Sequence, residues 1–343
     1  MSIFKSKDKY SLFSRFFSYI EGTLFNSSLK KYKKYKQFEF PETINLGPTN
    51  YCNHSCIMCP NKEIDKKSKG FMSLEIFEKI FLEMKKNKKY LKRVTFGLFG
   101  EPTMHPKIKY MLKKSKDEGF KVVIGSNASN LNKDFIDFII ENKIDEVRLS
   151  FYSTSAKNYS IIQGHPSKFY KSTLNNINYL IERSRNSSTF VFINFISMKY
   201  NSQNWQKYFK QFKKSENLIK GIARLHDWDK INEKRKLKKE SIFPLRYFKP
   251  CQQIESTIAI DWNGDVKTCC YAWNIPFLKL GNVNENSIHN LFNSDKMKFI
   301  KNSHEIGNSV NFVACNNCGA HRFESDFFNS IKFYFIKIKL KRF

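Results

Sequence analysis

The sequence predicts an α/β fold built on a parallel sheet, and three observations carry that prediction. Six strand-like runs alternate with amphipathic segments between residues 43 and 226. Repeated β-α units of this kind make parallel sheets with right-handed crossovers. The repeat then stops at a charged stretch, 232–240, and a hairpin pattern with further cysteines follows it.

The strand-like runs are 43–47, 93–98, 121–126, 146–151, 189–197 and 220–226. Between them, apolar residues recur at helical spacing over about 73–86, 105–118, 131–142, 172–184 and 201–213. In the first of these segments Leu74, Phe77, Ile80, Phe81 and Met84 make one apolar face. Ser73 is placed to cap it, and Gly119 to end the second segment. The stretch 256–268 alternates around Asn263-Gly264, a strong hairpin turn. Parallel α/β folds bind ligands at the carboxyl ends of their strands, so the loops there are the place to look for chemistry.

Composition narrows the class. At 343 residues the chain holds one large domain or a domain plus a module, and 41% hydrophobic with 16% aromatic residues excludes a disordered polymer. Lys and Arg number 60 against 31 Asp and Glu, a net charge of +29. Such a charge favours anionic partners: nucleic acid, anionic lipid, acidic redox proteins or phosphorylated substrates. The basic residues are dispersed and no RNA-binding module is recognised, which argues against nucleic acid and reads in part as compositional drift. The N-terminus lacks an uninterrupted apolar core, so no signal peptide is read there, and no run of ~18 apolar residues marks a membrane span. Eight cysteines without a secretory signal point to metal ligation in a reducing cytoplasm.

Three of those cysteines, Cys52, Cys56 and Cys59, stand at C-x3-C-x2-C spacing just after the first strand. A loop this tight aims three thiolates at one centre but leaves the fourth position of a [4Fe–4S] cluster open. Zinc held by the three cysteines and His54 is the competing reading. The spacing resembles the radical SAM enzymes, in which S-adenosylmethionine chelates the open iron and is cleaved to a 5′-deoxyadenosyl radical. The resemblance spans roughly residues 43–320 and implies a partial (β/α)6 TIM-like barrel.

It also implies roles for residues at the other strand ends. Phe99-Gly100-Glu101-Pro102 resembles the family's segment that receives the amino group of the methionine moiety. Ser126 and Asn127 resemble its Ser/Thr-Asn pair near the cofactor, and Ser150 is a candidate for the cofactor's polar end. Gln163-Gly164 falls where relatives often carry Arg before Gly; the amide supplies no charge. Met58 holds a position often close to the adenine. At the end of the sixth strand His226 and Asp227 bring a proton acceptor beside a carboxylate.

The second cysteine set, Cys251, Cys269, Cys315 and Cys318, resembles the auxiliary-cluster extension called SPASM in its shortened, one-cluster twitch form, a β-hairpin plus helix. Four thiolates close one auxiliary [4Fe–4S] cluster, with four-cysteine zinc as the alternative. Which of Cys269 and Cys270 faces that cluster is left open. The other is a packed residue or a hydrogen-atom donor, and Cys270 is taken as the candidate donor.

The expected organisation is a basic aromatic extension (1–42), the radical SAM core (43–235), the auxiliary domain (236–325) and a basic aromatic tail (326–343). The resemblance implies hydrogen abstraction from a small polar substrate such as a sugar or cyclitol, giving oxidation or epimerisation. Modification of a ribosomally made peptide and action on RNA are the alternatives. A flavodoxin or ferredoxin is the expected electron donor; for the two termini peripheral membrane contact is one reading, and packing on the barrel or an edge strand is the other.

Overall fold

The computed structural model describes residues 38–201, 205–226, 231–237, 251–272, 275–305, 315 and 318. The N-terminal extension to residue 37, Asp227, residues 238–250 and the tail 326–343 lie outside the described residues.

Strands β1 (Thr43–Leu46), β2 (Arg93–Phe96), β3 (Lys121–Ser126), β4 (Glu146–Leu149), β5 (Phe190–Ser197) and β6 (Leu218–Arg224) are mutually parallel. They are joined by helices α1 (Leu74–Lys86), α2 (Ile108–Asp117), α3 (Lys133–Glu141), α4 (Ala156–Gln163), α5 (Tyr170–Ser184) and α6 (Trp205–Lys210). A further short helix, α7, spans Ile231–Lys234. All six expected strands form: β3 has the expected bounds, β1, β2, β4 and β5 are one or two residues shorter, and β6 is shifted two residues earlier. Helix α4 was not foreseen. Its eight residues carry little amphipathic signal, and it is set by the Ser155 cap and by Gly164 in the left-handed conformation (φ 57°) at its end.

Alternate strand residues explain the layering. Ile44, Leu46, Val94, Phe96, Val122 and Ile124 are fully buried in one cluster with Phe77, Ile80 and Met84 of α1 and Met111 of α2. That face of the sheet is covered by helices. The opposite face carries Asn45, Arg93, Thr95, Gly125 and Arg148, in register across β1 to β4. The expected caps are present: Ser73 Oγ accepts from Ile76 N (3.1 Å), and Gly119 closes α2 at φ 86°.

After helix α8 (Gln252–Ser256) the expected hairpin forms from β7 (Thr257–Ile260) and β8 (Asp265–Lys267), with Gly264 at φ 86° in its turn. A third strand, β9 (Lys279–Asn282), was not foreseen; four residues containing Gly281 give too short a pattern to read. The hairpin is not free-standing. β7 pairs in parallel with β1, Ile44 opposite Ile258, so the nine-stranded order is β6-β5-β4-β3-β2-β1-β7-β8-β9. Helices α9 (Ile288–Phe292) and α10 (Asp295–Glu305) follow. Among the described residues, no helix is long and apolar enough to cross a membrane.

Strand β1 is therefore interior, and Ile44 is wholly buried. Replacing it by Ala is expected to cost about 2–5 kcal/mol, read as a lower denaturation midpoint at unchanged slope.

Candidate cluster and cofactor site

The loop that leaves β1 carries the first three cysteines and is tied to α4. Ser55 N donates to Gln163 O (3.2 Å) and Ile57 N to Ile162 O (2.9 Å). This contact needs a glycine at 164: a Cβ there would stand 2.2 Å from Ser55 O, on a backbone already at φ 57°. Cys59 caps the short 3-10 turn that follows it, its Sγ accepting from Asn61 N at 3.4 Å. Cys52 Sγ accepts from His54 N (3.4 Å) and faces Asn127 Nδ2 (3.9 Å).

Burial raises the pKa of all three thiols, that of Cys52 to about 12 and that of Cys56 well above the ordinary value. Each is also affected by its neighbours; Cys59, for example, raises both Cys52 and Cys56. Opposing this, backbone N–H groups and the charges of Arg235 and Lys69 favour the Cys59 thiolate. Among the described residues no three His, Cys, Asp or Glu side chains close onto a single metal ion. Three gathered thiols that resist ionisation alone fit a multinuclear centre whose iron replaces the protons.

His54 does not join them as a fourth ligand. Gln163 Nε2 can only donate, so His54 Nδ1 accepts from it (3.4 Å) and the ring proton sits on Nε2, facing Tyr159 Oη (3.3 Å). Tyr159 in turn reaches Thr173 Oγ1 (3.1 Å), and His54 stacks on His165 at 4.3 Å. Burial, then the charge of His165, lowers the His54 pKa to about 3, which keeps the ring neutral.

Glu101 is fully buried. One carboxylate oxygen accepts from Ser126 Oγ (2.8 Å) and Thr103 Oγ1 (2.7 Å), the other from Asn127 N (2.7 Å). Burial raises its pKa against those bonds. The structure thus places Glu101 and Ser126 in a clasp between the loops after β2 and β3, with Asn127 reaching on to Cys52. Gly100 is required by packing, since a Cβ would lie 2.1 Å from Thr49 O. The Gln163 side chain is likewise internal, accepting from Tyr152 N (3.1 Å) and donating to the Ser150 carbonyl (3.3 Å). Ser150 itself is exposed, and Met58 is buried with Ile162, Met198 and Leu237.

One region differs from the expectation. The stretch from 232 reads as an exposed connector, yet Asn232 is fully buried and donates to Met58 O (3.0 Å). Arg235 Nη1 donates to Ile57 O (2.8 Å) and Cys59 O (3.1 Å), and its other arm pairs with Glu63. A run of charges hides such contacts, because nothing local separates a docked arginine from a solvated one.

The later cysteines also come together. Cys251, Cys269, Cys315 and Cys318 are each 8% exposed. Burial raises Cys251 to about 12, helped by Cys269, and Cys269 to about 11, helped by Cys318. Cys315 is raised by burial and then by Cys269, Cys318 and Cys251. Cys270 is raised too, by burial and by the same group of thiols, and sits on its rim. His226 lies against this group, Nδ1 4.0 Å from Cys318 Sγ and its ring 4.4 Å from Tyr271.

A parallel barrel segment with an open three-cysteine loop at its strand ends, followed by four gathered cysteines, defines an iron–sulfur protein with one exposed and one enclosed centre. Residues 46–201 match the radical SAM superfamily model, so this part of the chain is a radical SAM domain. A SPASM model, described as an iron-sulfur cluster-binding domain, matches 251–319. Its cofactors are S-adenosylmethionine, the [4Fe–4S] cluster that binds it and an auxiliary cluster.

Two curated relatives match in part. A tungsten-containing aldehyde ferredoxin oxidoreductase cofactor-modifying protein of Pyrococcus furiosus is 31% identical over 35% of this chain and 33% of its own length. An S-adenosylmethionine-dependent nucleotide dehydratase of Flammeovirga pacifica is 30% identical over 38% of this chain and 47% of its own. The matches thus span between a third and half of the length of these relatives. Among solved structures, BtrN in complex with AdoMet and 2-DOIA is similar with TM-score 0.56 at 14% identity, covering 84% of this chain and 98% of that one. Streptococcus suis SuiB bound to precursor peptide SuiA gives TM-score 0.60 at 17% identity, covering 85% and 72%.

Gly164→Ala is expected to push the cysteine loop off α4. The reconstituted protein should then lose iron and sulfide from the first cluster while the auxiliary cluster remains, a change that iron analysis and electron paramagnetic resonance would register.

Proposed function

We propose that this chain is a radical SAM enzyme that oxidises a small polar metabolite, a sugar or cyclitol, at a carbon bearing a hydroxyl group. Cys52, Cys56 and Cys59 hold the SAM-binding cluster; Cys251, Cys269, Cys315 and Cys318 hold the auxiliary one. The domain division follows, with residues 43–235 as core and 236–325 as auxiliary domain. The observation that carries the reading is the nest of four buried thiols with His226 at its side. Four protein ligands leave that centre no open position for substrate, which suits an electron acceptor.

When bound, SAM and its cluster supply a hydrogen-abstracting radical, and the auxiliary cluster supplies a place for the second electron. The protein's own part is to orient and deprotonate. His226, beside Cys318, is the residue assigned to accept the proton of the substrate hydroxyl. Cys269 is taken as the ligand because it is buried like Cys251, Cys315 and Cys318, whereas Cys270 is the more exposed of the pair. Packed on the thiol group, Cys270 favours oxidation over hydrogen return and epimerisation. The likeness to BtrN over almost that whole chain supports a cyclitol-sized substrate; it is a likeness of fold. A cytoplasmic location and a flavodoxin or ferredoxin donor complete the proposal.

The test is anaerobic reconstitution. About eight irons per chain are expected from two [4Fe–4S] clusters. Dithionite should drive formation of 5′-deoxyadenosine in the native protein and not in Cys56→Ala. With a cyclitol panel, His226→Ala should lower ketone formation by roughly 10²–10⁴-fold. Zinc in place of iron, or turnover of a peptide and of no cyclitol, would overturn the proposal.

A further inference from the structure

Helix α7 and the turn after it take hold of the first cysteine loop at three successive carbonyls, a contact that thiol ligation by itself does not require. Arg235 Nη1 donates to Ile57 O (2.8 Å) and Cys59 O (3.1 Å), and between them Asn232 Nδ2 donates to Met58 O (3.0 Å). The same amide nitrogen donates to the His226 carbonyl (2.6 Å), and the second arm of Arg235 pairs with Glu63 at the end of the 3-10 turn Pro60–Glu63. One short segment thus joins the cysteine loop, the turn that follows it and the residue assigned as proton acceptor.

The segment is itself fixed. Leu237 N donates to Asn232 O (3.0 Å) and Lys199 N to Leu237 O (3.1 Å), while the Leu237 side chain is buried with Met58, Ile162 and Met198. Lys236 holds φ 53°, a left-handed conformation that a residue with a side chain keeps only where its surroundings impose it. The guanidinium is charged at any pH the protein meets, and its planar fork reaches two acceptors at once. The Arg235 side chain is 17% exposed and that of Glu63 52%. Water therefore screens the carboxylate more than the cation, and a net positive charge is left against the loop.

We infer that Arg235 is a positioning residue that also sets the electron affinity of the first centre: its fork fixes the backbone on both sides of Met58, and its charge raises the reduction potential of the cluster held by Cys52, Cys56 and Cys59. The inference rests on the proposed assignment of those three cysteines as ligands. Accepting an electron makes the centre one unit more negative, and a fixed cation favours that state over the oxidised one. Cys59 is itself a ligand, so covalent dimensions alone put its hydrogen-bonded guanidinium within about 10 Å of the iron. At that range and an effective dielectric constant of about 20, one unit charge shifts a one-electron equilibrium on the order of tenfold. A lysine could carry the charge, but only a fork holds Ile57 and Cys59 together.

The experiment is a potentiometric titration of the reconstituted full chain with titanium(III) citrate, without SAM or substrate, followed by electron paramagnetic resonance. The signal lost in Cys56→Ala reports the first cluster; the signal that remains reports the auxiliary one and serves as internal control. In Arg235→Gln the first midpoint should fall on the order of tenfold in the one-electron equilibrium, about 59 mV, with the auxiliary midpoint unmoved. Arg235→Lys keeps the charge without the fork and should restore most of the potential, whereas a merely structural role would make the two variants alike. If Arg235→Gln does not retain its first cluster, Glu63→Gln decides: loss of the exposed counter-charge should raise the midpoint. An unmoved first midpoint in the deciding variant, an equal fall in Arg235→Lys, or a parallel fall of both clusters overturns the inference. If no signal is lost in Cys56→Ala, the ligand assignment fails and takes the inference with it; a lost signal with an unmoved midpoint sinks the inference alone.

Discussion

Three thiols must be brought together in a place where burial opposes their ionisation, and most of the polar architecture at the strand ends answers to that constraint. The charge of each thiolate has to be met by something other than water. Near Cys59 it is met by the Asn61 amide and the charges of Arg235 and Lys69; near Cys52, by the His54 amide and Asn127. These groups come from the loops after β1 and β3 and from the turn after helix α7, so the site is assembled from segments up to 183 residues apart, the difference between 52 and 235. Its precision therefore depends on the sheet that aligns them.

The same economy of contacts explains why several residues do structural work close to the cofactor. Glu101, Ser126 and Gln163 are buried polar groups, and buried polar groups must be satisfied. They satisfy one another: Glu101 joins the loops after β2 and β3, and Gln163 joins those after β1 and β4. A neutral Gln suits this position, since its amide both donates and accepts within one crosslink.

Much of this was legible in the chain itself. The alternation of runs such as Lys121–Ser126 with apolar stripes such as Phe77, Ile80 and Met84 located the parallel sheet, because burial on one face imposes a period. The cysteine spacing located the first centre, because a short loop limits where its thiols point. Other features had no local signature. Arg235 sits in a run of charges, Gly164 matters through a contact with Ser55 over a hundred residues away, and β7 extends the main sheet through a pairing no hairpin pattern encodes.

That pairing of β7 with β1 bears on how such proteins diversify. The strand whose end launches the first cysteine loop is also the strand to which the auxiliary region is hydrogen-bonded, Asn45 Nδ2 reaching Ile258 O at 3.2 Å. Removing the later region would strip β1 of one of its two partners and expose an apolar edge, an open template for aggregation. The auxiliary region is thus no detachable cassette: recombination at its boundary would carry a penalty in the first half of the molecule, and its evolution is expected to proceed by substitution within a shared sheet.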